Sequence, residues 1–165
     1  MVEDNTLYIT GAGVSAESGI PTFRGTDGLW TVGSQNYTPQ EMATRQMYLW
    51  HPDEFLMWYF KRFASYRLIQ PNAVHHWLAD KRLVTQNIDG LDGKAGNDAY
   101  VPIHGRLDKV TVLHEQGLDV PLIDAPWEDV AATCDDLDDN ERLTPILLDA
   151  LKYQRKRSHQ SLTSL

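Results

Sequence analysis

At 165 residues, with 42% hydrophobic and 23% charged, the chain suits one packed domain, or a main domain with a small appendage. A net charge of −8 excludes the basic footprint of a general nucleic-acid binder. No run reaches the ~18 apolar residues of a membrane span, the acidic start Met1-Val2-Glu3-Asp4-Asn5 lacks a signal-peptide pattern, and a single cysteine, Cys134, excludes intrachain disulfides and a cysteine-rich zinc site.

These properties predict a cytoplasmic chain that binds neither nucleic acid nor membrane. Residues 6–10 read as a buried strand running into Gly11, and Ser15 to Gly19 as a helix opening. Gly25 to Gly33 is turn-rich and holds Trp30, which predicts an ordered loop. Thr38-Pro39-Gln40-Glu41 carries helix-start signals: a capping threonine, proline first, and an acid three residues on. A second helix starts after His51-Pro52-Asp53 and ends before Pro71. Its apolar residues are too dense for a simple amphipathic stripe, which predicts burial or a groove. Asn72 caps a third helix through Leu78.

Leu83 to Gln86 is the next strand, ending in the polar turn Asn87-Ile88-Asp89-Gly90. Val101-Pro102-Ile103 is a shorter strand leading into His104-Gly105. Strand, helices, strand, turn, strand predicts an α/β fold with a parallel sheet. Residues 124–141 hold eight acids and no base, and read as an exposed acidic segment. A helix near Pro145 to Lys156 follows, with a basic run at 152–157 and a frayed polar tail. No internal repeat is present.

Three segments have the residue types for chemistry. Gly11-Ala12-Gly13-Val14-Ser15-Ala16 fits G-x-G-x-x-G/A after a strand. There glycines let the backbone approach a pyrophosphate, and a helix start offers free N–H donors. A glycine turn also serves plain chain reversal, and no acid-ended strand follows about twenty residues on, as a standard NAD fold has. Just beyond, Pro21-Thr22-Phe23-Arg24 sets a ring and a fixed cation beside the loop. The ring suits shielding of a reacting ribose, and the cation suits a phosphate. A core phenylalanine and a surface arginine have the same spacing. Gln86-Asn87-Ile88-Asp89 offers two amides and a carboxylate for ribose hydroxyls or a carboxamide, or else caps its own turn. His104, at a strand end before glycine, fits a general base or a structural histidine.

Taken together, "TGAGVSAESGIPTFRG", "QPNAVHHWL", "TQNIDG" and "IHG" occur in an order and spacing that resemble the sirtuin family of NAD-dependent protein deacylases. The resemblance spans Leu7 to Lys109, about three-fifths of the chain. It implies a Rossmann-like parallel sheet flanked by helices, incomplete at its C-terminal end. NAD would be the cofactor and an acyl-lysine protein the partner. The acyl oxygen would attack the nicotinamide ribose, nicotinamide would leave, and the acyl group would pass to ADP-ribose.

By this resemblance Gly11, Ala12, Gly13, Ser15, Ala16, Phe23, Arg24 and Trp30 bind NAD, with Gln86, Asn87, Ile88 and Asp89 around the ribose and nicotinamide. His104 would be the base, with Asn87 as the second catalytic residue. Tyr59 and Arg62 match a Y-x-x-R pattern that reads the carboxylate of succinyl-, malonyl- or glutaryl-lysine in one sirtuin class. Residues three apart share a helix face, and a phenol with a guanidinium grips a carboxylate well. A buried aromatic beside a surface arginine fits the same pattern.

The departures are specific. Asp92 stands where the family usually has histidine, and Arg106 to Arg142 holds only Cys134 in place of two zinc-binding cysteine pairs. The expected organisation is therefore a single partial NAD-binding catalytic domain over 1–165. Within it, 106–142 is a zinc-module remnant that binds no metal, and 143–165 is a divergent tail. Nothing from Leu143 to Leu165 resembles the family's later strands. A sheet edge left open this way predicts a homo-oligomer that covers it. The chemical alternatives are a catalytically impaired NAD-binding or interaction remnant, and an NAD hydrolase or ADP-ribosyltransferase using the same site.

Overall fold

The structure, a computed structural model, describes residues 6–22, 36–111, 120 and 122–150. The elements in chain order are β1 (Leu7–Thr10), α1 (Gly13–Ala16), α2 (Pro39–Met42), α3 (Arg45–Trp50), α4 (Pro52–Tyr66), α5 (Ala73–Trp77), β2 (Arg82–Thr85), α6 (Leu91–Lys94), β3 (Val101–Pro102), β4 (Lys109–Val110), β5 (Ile123–Asp124), α7 (Trp127–Thr133) and α8, residues 140–150. They fall into two compact units, residues 1–32 with 66–107 and residues 33–65 with 108–165.

The first unit is α/β. Its three strands are parallel in the order β1-β2-β3, with Tyr8 beside Leu83 and Val84 beside Val101. Parallel strands need crossover connections, and the helices between them provide these. One face of the sheet carries Tyr8, Thr10, Leu83 and Thr85. Leu83 and Thr85 are buried, the Thr10 hydroxyl donates to Thr85 Oγ1 at 2.8 Å, and Tyr8 meets Trp77 of α5 edge-on at 5.1 Å.

Local sequence signals account for the helix starts. Thr38 forms the full capping box with Glu41, with Pro39 in the first turn. Thr44 then caps α3 by accepting from Met47 N. The helix announced at Thr38 is therefore only four residues long, and a new cap starts the next. Asn72 caps α5 by accepting from Val74 N and His75 N. Its amide also donates to Val14 O at 2.8 Å and Ser18 Oγ at 3.0 Å, so one side chain ties α5 to the α1 turn. Asn72→Ala is expected to cost about 1–2 kcal/mol, more than a cap alone, in urea unfolding followed by circular dichroism.

The second unit is built around a cluster of Leu56 and Phe60 of α4, Trp127, Val130 and Ala131 of α7, Cys134, and Leu143 and Leu147 of α8. β4 and β5 pair antiparallel beside it in sequence. No described helix is long and apolar enough to cross a membrane.

Three expectations are corrected. The helix after the glycine turn occupies Gly13–Ala16, and 17–19 are turn. Gly19, at φ 96°, is in the left-handed region that ends a helix. The last helix begins at residue 140 rather than near Pro145, because the Asp139 carboxylate accepts from Arg142 N at 3.0 Å and caps it five residues early. Residues beyond 150 lie outside the described set. The segment 124–141 is also more than an exposed acidic face. Its eight acids are all exposed, but Trp127, Val130, Ala131 and Cys134 between them are core. The acids fall on one side of α7 and the apolar residues on the other, an amphipathic division that a charge count hides.

Candidate functional site

In a parallel sheet the loops after the strands share one edge, and ligands bind at that edge. Here it gathers the turn after β1, the Gln86–Asp89 turn after β2, and His104 after β3. A shallow cleft, open to solvent, lies there, lined by Ala12, Ser15, Ile20, Pro21, Tyr66, Asn87, Ile88 and Asp89.

Its floor is a buried polar network. The Ser15 hydroxyl donates to Asp89 Oδ2 at 2.7 Å. The Asn87 amide donates to Ser15 Oγ at 3.1 Å and to Gly11 O at 3.2 Å, locking the glycine turn to the β2 end. Asp89 Oδ1 accepts from Leu91 N at 2.9 Å, which fixes the carboxylate and starts α6. Leu91 follows Gly90, whose φ of 77° suits glycine. His75 closes the network from behind. Its Nδ1 accepts from Asn72 N at 3.2 Å, which leaves Nε2 as the protonated nitrogen, 3.4 Å from Ser15 Oγ. Burial pushes the His75 pKa down, with the Asp89 carboxylate opposing, so the ring is a neutral donor.

The expected residues are only partly brought together. Ala12, Ser15, Asn87, Ile88 and Asp89 line the cleft, and Gly11 joins through its carbonyl. Gly13 and Ala16 are exposed on α1, and Gln86 is exposed one residue past β2. His104 is exposed on the same sheet edge and does not line the cleft. Phe23, Arg24 and Trp30 lie outside the described residues. Tyr59 and Arg62 belong to the second unit. There the Arg62 guanidinium lies 3.5 Å over the Trp58 ring and donates to Trp58 O at 2.8 Å. Burial raises the Tyr59 pKa, with Arg62 opposing.

Sequence reasoning missed Tyr66, Ile20 and His75. The signal for His75 was present: it stands three residues after the Asn72 cap, the reciprocal position of a capping box. Asp92 is 2% exposed, and its Oδ1 meets no hydrogen-bond partner. Burial, reinforced by the Asp89 charge, pushes its carboxyl up to about 6.

A parallel α/β layer with a glycine turn and a polar cleft at its strand ends defines a Rossmann-like protein. The Sir2 family model matches residues 11–134, and the chain belongs to that family. It is 43% identical over 108 residues to NAD-dependent protein deacylase 1 of Archaeoglobus fulgidus, covering 61% of this chain and 42% of that protein. NAD-dependent protein deacylase 1 of Caldanaerobacter subterraneus is 39% identical over 134 residues, covering 74% and 54%. Among solved structures, a Sir2 homologue–NAD complex superposes with a TM-score of 0.57 at 37% identity, covering 73% of this chain and 48% of that one. A Sir2 complex with deacetylated p53 peptide and 3′-O-acetyl ADP-ribose superposes at 0.53 and 28% identity, covering 79% and 55%. The chain spans about half the length of these relatives.

Proposed function

We propose that the chain carries the NAD site of an NAD-dependent protein lysine deacylase. The observation that carries this reading is the Ser15–Asn87–Asp89 network in the strand-end cleft. The site suits the cofactor in two respects. A Cβ at Gly13 would meet nothing within 4 Å, so backbone at the loop is open to a large anion. Asn87 Oδ1 accepts no hydrogen bond from the described residues, which leaves an acceptor at the cleft for a hydroxyl or carboxamide.

When bound, NAD would supply the ribosyl carbon that accepts the acyl group, with nicotinamide as its leaving group. Gly11, Ala12, Gly13, Ser15, Ala16 and Trp30 would bind NAD, with Ala12 and Gly13 at the phosphates, Phe23 shielding the reacting ribose and Arg24 ordering the loop. Gln86, Asn87, Ile88 and Asp89 would hold the ribose and carboxamide. Ser15 keeps Asp89 fixed, so the carboxylate meets its ligand without reorganising. His104 would take the proton from a ribose hydroxyl on its imidazole nitrogen; its exposure leaves it reachable from solvent. Tyr59 and Arg62 would read an acidic acyl group. The partner is an acyl-lysine protein, the location cytoplasmic, and residues 106–142 are the metal-free remnant of a zinc module.

The test is nicotinamide release by the purified chain with acetyl- and succinyl-lysine peptides in parallel. Release that depends on the peptide, and falls at least ~100-fold in His104→Ala, supports the reading. NAD binding by calorimetry without release assigns the chain as a binding remnant. Release without any peptide assigns NAD hydrolysis.

A further inference from the structure

Asp92 is the only buried acid among the described residues. It stands in the turn that opens α6, three residues after Asp89, and its Oδ1 meets no hydrogen-bond partner. Asp89 is held by two neutral donors, the Ser15 hydroxyl and Leu91 N. Neither carboxyl group is in an ion pair among the described residues. The charged groups around α6 are turned elsewhere. Lys94 Nζ donates to Arg67 O at 2.9 Å and to Ile69 O at 3.3 Å. Lys81 pairs with Asp80 at 3.0 Å. The Arg106 guanidinium lies 5.5 Å over the ring of Tyr100, which packs against Gly93. On α5, which packs against α6, His75 is a neutral donor and His76 is exposed. Two acids in one turn at the strand ends thus stand without a paired cation.

We propose, on the reading that Asp89 holds the carboxamide end of NAD, that Asp92 is the counter-charge selecting the cationic nicotinamide ring of NAD over its neutral reduced form. Asp92 does not line the cleft, so it acts through its charge and not by contact. A buried, unpaired carboxylate attracts a cation entering beside Asp89 more strongly than water would allow. At an effective dielectric of ~30 and a separation of roughly 8 Å, that attraction changes affinity about tenfold. The dihydronicotinamide ring carries no charge and gains nothing. Burial and the Asp89 charge hold the Asp92 carboxyl up at about 6, so it is mostly protonated at pH 5 and ionised at pH 7.5. The selectivity is therefore weak in acid and develops as pH rises through that range. By linkage, bound NAD lowers the Asp92 pKa, by about one unit for a tenfold effect.

Calorimetry of the full chain with NAD and with NADH, at pH 5 and 7.5, tests this. The ratio of NAD affinity to NADH affinity is expected to rise about tenfold between the two pH values. In Asp92→Asn, which keeps the shape and removes the charge, the ratio is expected to change less than about twofold. Asp98→Asn, on an exposed acid six residues further on, retains the rise. A merely structural Asp92 would alter the binding of both cofactors together at either pH. A ratio that is flat with pH in the unsubstituted chain, or a rise that Asp92→Asn retains, overturns the proposal while leaving the NAD site standing. A chain that binds neither cofactor at either pH overturns the NAD reading of the site and the proposal with it.

Discussion

Asp92→Asn is expected to stabilise the protein by ~3 kcal/mol at pH 7.5, an unusual gain for one substitution of a buried polar residue. The wild-type carboxyl is 2% exposed, has an Oδ1 with no hydrogen-bond partner, and feels the Asp89 charge. Its pKa rises from 3.8 to about 6 on folding. A raised carboxyl is favourable to the fold only while protonated. That stability is fully present below pH 3.8 and is lost as pH rises through about 6. Above that, the folded state holds an unpaired buried charge, and asparagine, close to the same shape, removes it. Urea midpoints of both proteins from pH 4 to 8 check this. The gap should open between pH 4 and 6 and then stay constant. Equal midpoints at pH 7.5 would show that the carboxylate finds a partner or water when ionised.

Trp127→Ala carries the other large effect, a loss of ~3–5 kcal/mol. Trp127 is 4% exposed and packs edge-on to Phe60 at 5.9 Å and beside Phe63 at 6.4 Å. Truncation leaves a cavity between α4 and α7 that those rings only partly fill. Asp135→Asn, on an exposed acid nearby, is expected to stay within ~0.5 kcal/mol. Thermal unfolding of the two variants separates a core helix from a solvated acidic run; similar midpoints would remove Trp127 from the core.

Much of both units was legible because local signals agreed. The capping residues Thr38 and Asn72 act within four residues of themselves, so the structure repeats what the sequence announces. The bounds of the two main strands read correctly to within a residue, because each apolar run stops at a glycine or polar turn, but the expectation that residues 6–10 are buried is corrected: Leu7 and Ile9 are exposed, because an alternating strand here packs only one face. The motifs also identified the family, since a phosphate loop tolerates few residue types. The acidic segment misled because charge content is a sum, whereas packing depends on which side of a helix each residue takes.

The sequence by itself determined the α/β class, the helix starts and the family, all of which follow from short-range stereochemistry and residue type. Only the tertiary structure decided which groups meet. Ser15 lies 72 positions from Asn87 and 74 from Asp89, and the three become a network because β1 and β2 pair in parallel at one register. The same pairing buries Leu83 and half-buries Tyr8 on one face and leaves Leu7 and Ile9 exposed on the other. Burial and pairing are properties of the assembled sheet, and no single segment encodes them alone.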